Sequence, residues 1–230
     1  MIKKNNFSPI KLIKFYKLIN YNLIYNNAAI NRYKKDTFEL PADKAEKLQK
    51  LKQSIYNIKN CNLKKNATNI VFADGNPKAK IMLIGEGPGS NEDLEGLPFV
   101  GRAGALLDKM LASINLDRKQ VYITNLVNYR PPENRTPTAE EVERYLPYLK
   151  KHIEIIDPKI LVLLGSSAMN AIINQKEVIS KVRGKWIEKI IGKCKTSIIV
   201  TFHPAFLMRQ PVQKKMAWVD LKMIREKKVK

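Results

Sequence analysis

Residues 80–104 read KIMLIGEGPGSNEDLEGLPFVGRAG. The opening KIMLI is a short apolar run of the length of a buried strand. The following ALLDKMLASI, residues 105–114, repeats its apolar side chains at helical spacing. Between them, Gly85–Gly104 is denser in Gly, Pro and carboxylate than any other part of the chain. A linker carries glycines, but rarely Glu86, Glu92, Asp93, Glu95 and a Pro98–Phe99 pair as well. Strand, loop and helix in that order begin a βαβ unit, and in open α/β sheets ligands bind in the loops beyond the carboxyl ends of the strands. The plainer alternative is a surface loop with solvated acids.

Outward from this stretch, strand and helix patterns alternate. Lys80–Gly85, Val121–Val127, Ile160–Leu164 and Ser197–Phe202 read as strands, with a shorter strand-like run at Asn69–Ala73. Ala103–Ile114, Ala139–Ile156 and Ser166–Asn174 read as helices between them, preceded by Ala42–Tyr56 and followed by a basic helix over Gln213–Lys228. This order predicts an α/β fold: a three-layer α/β/α sandwich around a central four-stranded parallel sheet with right-handed crossovers.

The chain has 230 residues, 42 Lys plus Arg against 21 Asp plus Glu, and a net charge of +21. So large a positive charge repels itself and suits a polyanionic partner, nucleic acid before membrane. A chain rich in Lys, Asn and Ile also has a compositional source for part of it. Residues 1–40 differ from the rest, with scattered apolar residues among Lys and Asn. They form a basic extension set before a domain over 41–230. Ile10–Ile24 suits a basic amphipathic helix and a poorly ordered tail equally well, and carries no assigned function. No stretch approaches the roughly 18 apolar residues of a membrane span. Two cysteines in no disulfide or metal pattern fit a reducing, cytoplasmic setting.

Four loops meet at the carboxyl edge of such a sheet: Gly85–Gly104, Asn125–Arg135 (NLVNYRPPENR), Gly165–Ala168 (GSSA) and His203–Arg209 (HPAFLMR). Singly, each has an ordinary reading: Asn125 as a satisfied strand-end amide, His203 as a structural histidine, Phe99 as core, Arg102 and Arg135 as solvated. Jointly, an amide, a histidine, an aromatic ring and acids suit a flat polar heterocycle. Asn donates and accepts at once, Phe99 offers a stacking face, and His203 offers a donor to an oxygen gaining charge. A nucleobase turned out of the stack is such a ligand.

The segments GEGPGSNEDLEGLPFVGRAG, NLVNYRPPENRTP and HPAFLMR resemble the three signature segments of the type-4 uracil-DNA glycosylases, and the similarity runs from about Cys61 to Arg209. The resemblance implies uracil-containing DNA as partner, a monomer away from membranes, and hydrolysis of the N-glycosidic bond to leave an abasic site. It implies stacking of uracil on Phe99, selection of its edge by Asn125, and stabilisation of the leaving anion by His203. It further implies a pocket floor of Glu86 and Gly87 with Glu86 held by Asn134. Glu92 would position water or close the pocket, and Leu207, Met208 and Arg209 would form a wedge in the duplex.

Members of that family hold a [4Fe–4S] cluster on four cysteines. The matching positions here are Ile58, Cys61, Tyr129 and Tyr145. One thiolate does not hold a cluster that needs four ligands, so no iron–sulfur cofactor and no other metal is expected, and the replacements are expected to fill its space. Loss of the cluster leaves a second reading open, a DNA-binding protein without catalysis on the same fold. A product-trapped relative would need a histidine in the loop after the R-P-P-like region, and the only histidines are His152 and His203. A nucleotide hydrolase would want a phosphate cradle that is also missing.

Overall fold

Alternation of side chains along the central strands decides which layer each residue enters. In the computed structural model, which describes residues 42–173 and 177–227, strand β2 (Ile81–Gly85) turns Met82 and Ile84 to one face and Leu83 to the other. Strand β4 (Ile160–Leu164) does the same with Leu161 and Leu163 against Ile160, Val162 and Leu164. One face is covered by α1 (Ala42–Tyr56), α5 (Ala139–Ile156) and α6 (Ser166–Ile173); the other by α4 (Arg102–Ala112) and α9 (Lys214–Glu226). Each fully buried Leu or Ile of these two cores contributes about 1.5–3 kcal/mol.

The sheet order is β1-β3-β2-β4-β6-β5, with β1 at Asp74–Gly75, β3 at Tyr122–Asn125, β5 at Trp186–Ile191 and β6 at Cys194–Thr201. The four inner strands are parallel, as expected, and form the middle of a three-layer sandwich. Two edge strands extend it, both antiparallel. Residues 69–73 are not a strand; the short pairing falls on Asp74–Gly75 instead. The unforeseen β5 turns back on β6 through Gly192–Lys193, with Ile191 paired to Cys194. The N-terminal extension, with any helix over 10–24, lies outside the described residues. Among the described residues no helix is long and apolar enough to cross a membrane.

A third apolar cluster joins α1, the short α2 (Asn62–Asn66), the start of the loop after β3, and α5. Leu51, Ile55, Cys61, Leu63, Val127, Tyr129 and Tyr145 are buried there, with Ile58 packed against them. All four positions that match the cysteine pattern therefore fall in one place.

Candidate active site

The strand order reverses between the parallel neighbours β2 and β4: β3 lies outside β2, while β6 lies outside β4. Loops leaving two neighbouring strands in opposite directions open a crevice at their carboxyl ends. A cavity of about 520 Å³ occupies that position, lined by Glu86 and Gly87 after β2, Gly165–Ser167 after β4, and His203 and Phe206 after β6. Asn134 and Thr136 border it from the loop after β3, and Arg209 from α8 (Pro204–Arg209).

Phe99 and Asn125 are not among its lining residues; they converge on Gly85, the residue before Glu86. A Cβ at Gly85 would stand 2.4 Å from Asn125 Oδ1 and 2.5 Å from Phe99 Cζ, so only glycine admits both. The Asn125 side chain is 2% exposed and its Oδ1 has no hydrogen-bond partner. A buried acceptor left unpaired costs about 1–3 kcal/mol, and a ligand N–H would relieve that cost. The Phe99 ring lies 5.6 Å from the His203 ring, centroid to centroid. Phe99 adopts a left-handed φ of 56°, an uncommon state for an aromatic residue. Its carbonyl accepts from the Arg118 guanidinium, which also donates to Pro98 O at 3.1 Å and to Asp74 at 2.6 Å. Gly104 leaves room for that carbonyl, since a Cβ there would overlap it at 1.7 Å.

His203 opens α8 and caps it: Nδ1 accepts the Ala205 N–H at 3.1 Å. A ring that accepts at Nδ1 carries its proton on Nε2 when neutral. Burial, aided by the Arg209 charge and opposed by Glu92, pushes its pKa down to about 4. At neutral pH His203 is therefore an uncharged donor on the cavity wall.

The structure corrects three expectations. Glu86 takes a hydrogen bond from Ser167 Oγ, not from Asn134, whose Oδ1 accepts Arg130 Nε at 2.8 Å. Glu92 does not line the cavity and is engaged by its own loop. Gly85–Gly104 contains a helix, α3 (Ser90–Glu95), and Glu92 in its first turn accepts Gly89 N–H at 3.1 Å through Oε2 and Val100 and Gly101 N–H at 3.0 and 2.8 Å through Oε1. It fastens both ends of the loop. Leu207 is 1% exposed in the core beneath α8 and cannot enter a duplex without leaving it; Met208 is half-buried and Arg209 exposed.

Two contributors went unseen in the sequence. Ser167 had a signal, because GSSA begins the helix after β4. Arg118 had none, since its targets lie 10 to 44 residues away.

The residues at the cysteine positions do not fit an iron–sulfur cluster. Cys61 Sγ and Tyr145 Oη share a hydrogen bond at 3.2 Å, Tyr129 Oη is buried without a partner, and Ile58 packs beside them. Burial, with Cys61 nearby, holds the Tyr129 phenol up at about 12 and raises Tyr145 further, so neither phenolate forms near neutrality. One soft ligand and two protonated phenols are the wrong donor set. Among the described residues no group of three or more His, Cys, Asp or Glu is placed to hold a metal ion.

Comparison with known proteins gives the family. The model of the uracil DNA glycosylase superfamily matches residues 72–222. The type-4 uracil-DNA glycosylase of Archaeoglobus fulgidus is 43% identical over 185 residues, covering 79% of this chain and 93% of the relative. That of Thermotoga maritima is 47% identical over 150 residues, covering 65% and 77%. A type-5 uracil-DNA glycosylase of Pyrobaculum aerophilum is 33% identical over 114 residues, covering 43% and 50%.

Proposed function

The chain belongs to the uracil DNA glycosylase superfamily, and on that footing we propose that it excises uracil from DNA, hydrolysing the N-glycosidic bond and leaving an abasic site. The observation that carries this reading is the buried, unpaired Asn125 Oδ1, which converges with the Phe99 ring on Gly85, the ring lying 5.6 Å from neutral His203 on the cavity wall. An Asn amide pairs with both the N–H and the C=O of an imide edge, whereas cytosine presents the opposite donor at C4. Phe99 takes the face of the ring.

As the C1′–N1 bond breaks, its electron pair moves into the base and negative charge builds on the uracil oxygens. His203 Nε2–H donates to that charge without giving up its proton. The sugar becomes oxocarbenium-like, and the Glu86 carboxylate, oriented by Ser167, stabilises it electrostatically. Water oxygen then bonds to C1′, its released proton passes by way of Glu86 to solvent, and uracil departs as the anion. Glu92 acts on the loop and not on the base. Oligonucleotides carrying a single uracil test this directly. Alkali-labile breaks at the uracil, absent with thymine or cytosine there, are expected; salt-sensitive binding without breaks would establish a DNA-binding protein instead.

The reaction on this reading needs no iron. The Cys61, Tyr129, Tyr145 and Ile58 packing does the bracing that a cluster would otherwise supply. Protein purified without oxygen is expected to contain only trace iron and to lack visible cluster absorbance. Stoichiometric iron with a brown chromophore would overturn this.

A further inference from the structure

A base leaves a duplex more readily when something occupies the gap behind it, and proteins that unstack DNA commonly insert an apolar side chain there. Leu207, where the signature segment would place such a side chain, is locked in the core. The chain then makes a rigid corner after α8. Gln210 N–H bonds to Phe206 O at 2.8 Å, Pro211 starts a 3-10 turn over Pro211–Gln213, and Gln213 N–H bonds to Gln210 O at 3.1 Å. At this corner stands Val212, 75% exposed, above any other exposed large apolar residue described. It lies three residues beyond Arg209, which lines the cavity.

Charge distinguishes Val212 from Leu94, Leu97, Val178 and Ile190, and its place at the corner next to Arg209 distinguishes it from Met216, Trp218 and Val219 further along α9. Leu94 and Leu97 sit among Glu92, Asp93 and Glu95, and Val178 follows Glu177, all arrangements that repel phosphate. Ile190 pairs with Lys195 near the start of β6, at the opposite end of that strand from His203. Val212 is flanked by exposed Arg209 on one side and by exposed Lys214 and Lys215 on the other, and no described carboxylate forms an ion pair with these three. Phosphate contacts on both sides of an apolar tip would orient it toward the base stack.

We propose that Val212, on the corner between α8 and α9, is the side chain that enters double-stranded DNA in place of the extruded base, with Arg209, Lys214 and Lys215 holding the flanking phosphates. This rests on the glycosylase reading, and the test separates the two. Full-length protein, Val212→Ala and Val212→Leu are compared on single-stranded and duplex oligonucleotides, each with one uracil beside a 2-aminopurine whose fluorescence reports unstacking. Val212→Ala is expected to lower kcat/KM on duplex roughly tenfold or more and to leave single-stranded excision within about twofold. Val212→Leu is expected to retain duplex activity. The alanine variant should also lose the fluorescence rise on duplex.

Equal effects of Val212→Ala on both substrates would overturn the proposal, as would an unchanged duplex rate or a wild-type protein that produces no fluorescence rise. A wild-type protein that releases no uracil yet raises the fluorescence through Val212 would overturn the glycosylase reading and support the wedge.

Discussion

Alanine in place of His203 is expected to slow uracil release on the order of 10²–10³-fold in single-turnover kinetics, the usual effect of removing one preorganised donor to a developing anion. KM should change little, because the donor acts on charge that appears only as the bond breaks. The cap at Ala205 N–H is lost as well, so thermal unfolding must be measured in parallel. A rate loss much larger than the loss of folded protein assigns the effect to chemistry. The pH profile gives an independent check. The active form is neutral and its pKa is pushed down to about 4, so the rate should hold as pH falls through the ordinary histidine range near 6.5 and drop only on approaching 4. A midpoint near 6.5 would show a solvent-like histidine.

Stability has the same sign. A folded-state histidine pKa below the unfolded value means the unfolded chain binds more protons between the two. The stability is therefore fully present above about 6.5 and is lost as pH falls toward 4. His152, buried and pushed down to about 3, adds in the same direction.

Replacing Asp220 by alanine is expected to cost about 3–5 kcal/mol, the range for removing one partner of a buried ion pair, read as the shift in chemical unfolding midpoint. Asp220 is fully buried on α9. It accepts Arg183 Nε at 3.0 Å and Nη2 at 2.5 Å, and Thr201 Oγ1 at 2.7 Å. Burial raises its pKa despite Arg183, so the pair is costly to desolvate and its removal as a unit should be far milder. Arg183→Met with Asp220→Leu should therefore recover much of the single-variant loss; no recovery would show that the hydrogen bond to Thr201 dominates. Thr201 stands two residues before His203, so excision activity should fall with Asp220→Ala even where the protein remains folded.

Elements with strong local signals were legible in sequence. Ala139–Ile156 matched to the residue because Thr138 caps it, Glu141 returns the bond to Thr138 N–H at 2.8 Å, and its apolar stripe is long. Ile160–Leu164 matched because five apolar residues between a proline and a glycine have little alternative. Trp186–Ile191 was missed because Glu188 and Lys189 interrupt it, although the two-residue Gly192–Lys193 turn ahead of another strand was a hairpin signal. Helix α3 was hidden because SNEDLE reads as solvated acid; the bracketing Gly89 and Gly96 were its caps.

In the site, residues at strand ends were readable, since strand position alone carries Asn125, Glu86, Gly87 and His203 to one edge. Hydrogen-bond pairing across loops was not. The Ser167–Glu86 and Arg118–Phe99 bonds span 81 and 19 residues, with no period to betray them. Leu207 shows the limit of carrying a role by motif. A helix of six residues is too short for its buried face to show in sequence.

The way Glu92 ties Gly89 to Val100 and Gly101 also bears on timing. With both ends of Gly85–Gly104 fastened and Phe99 fixed through Arg118, the aromatic wall is assembled when the chain folds. On the glycosylase reading, capture then waits on no closure of this loop, and the slow event before bond breaking is expected to be the opening of the DNA itself. Substrates whose bases open fastest, mispaired or near strand ends, are accordingly expected to be processed first on that reading.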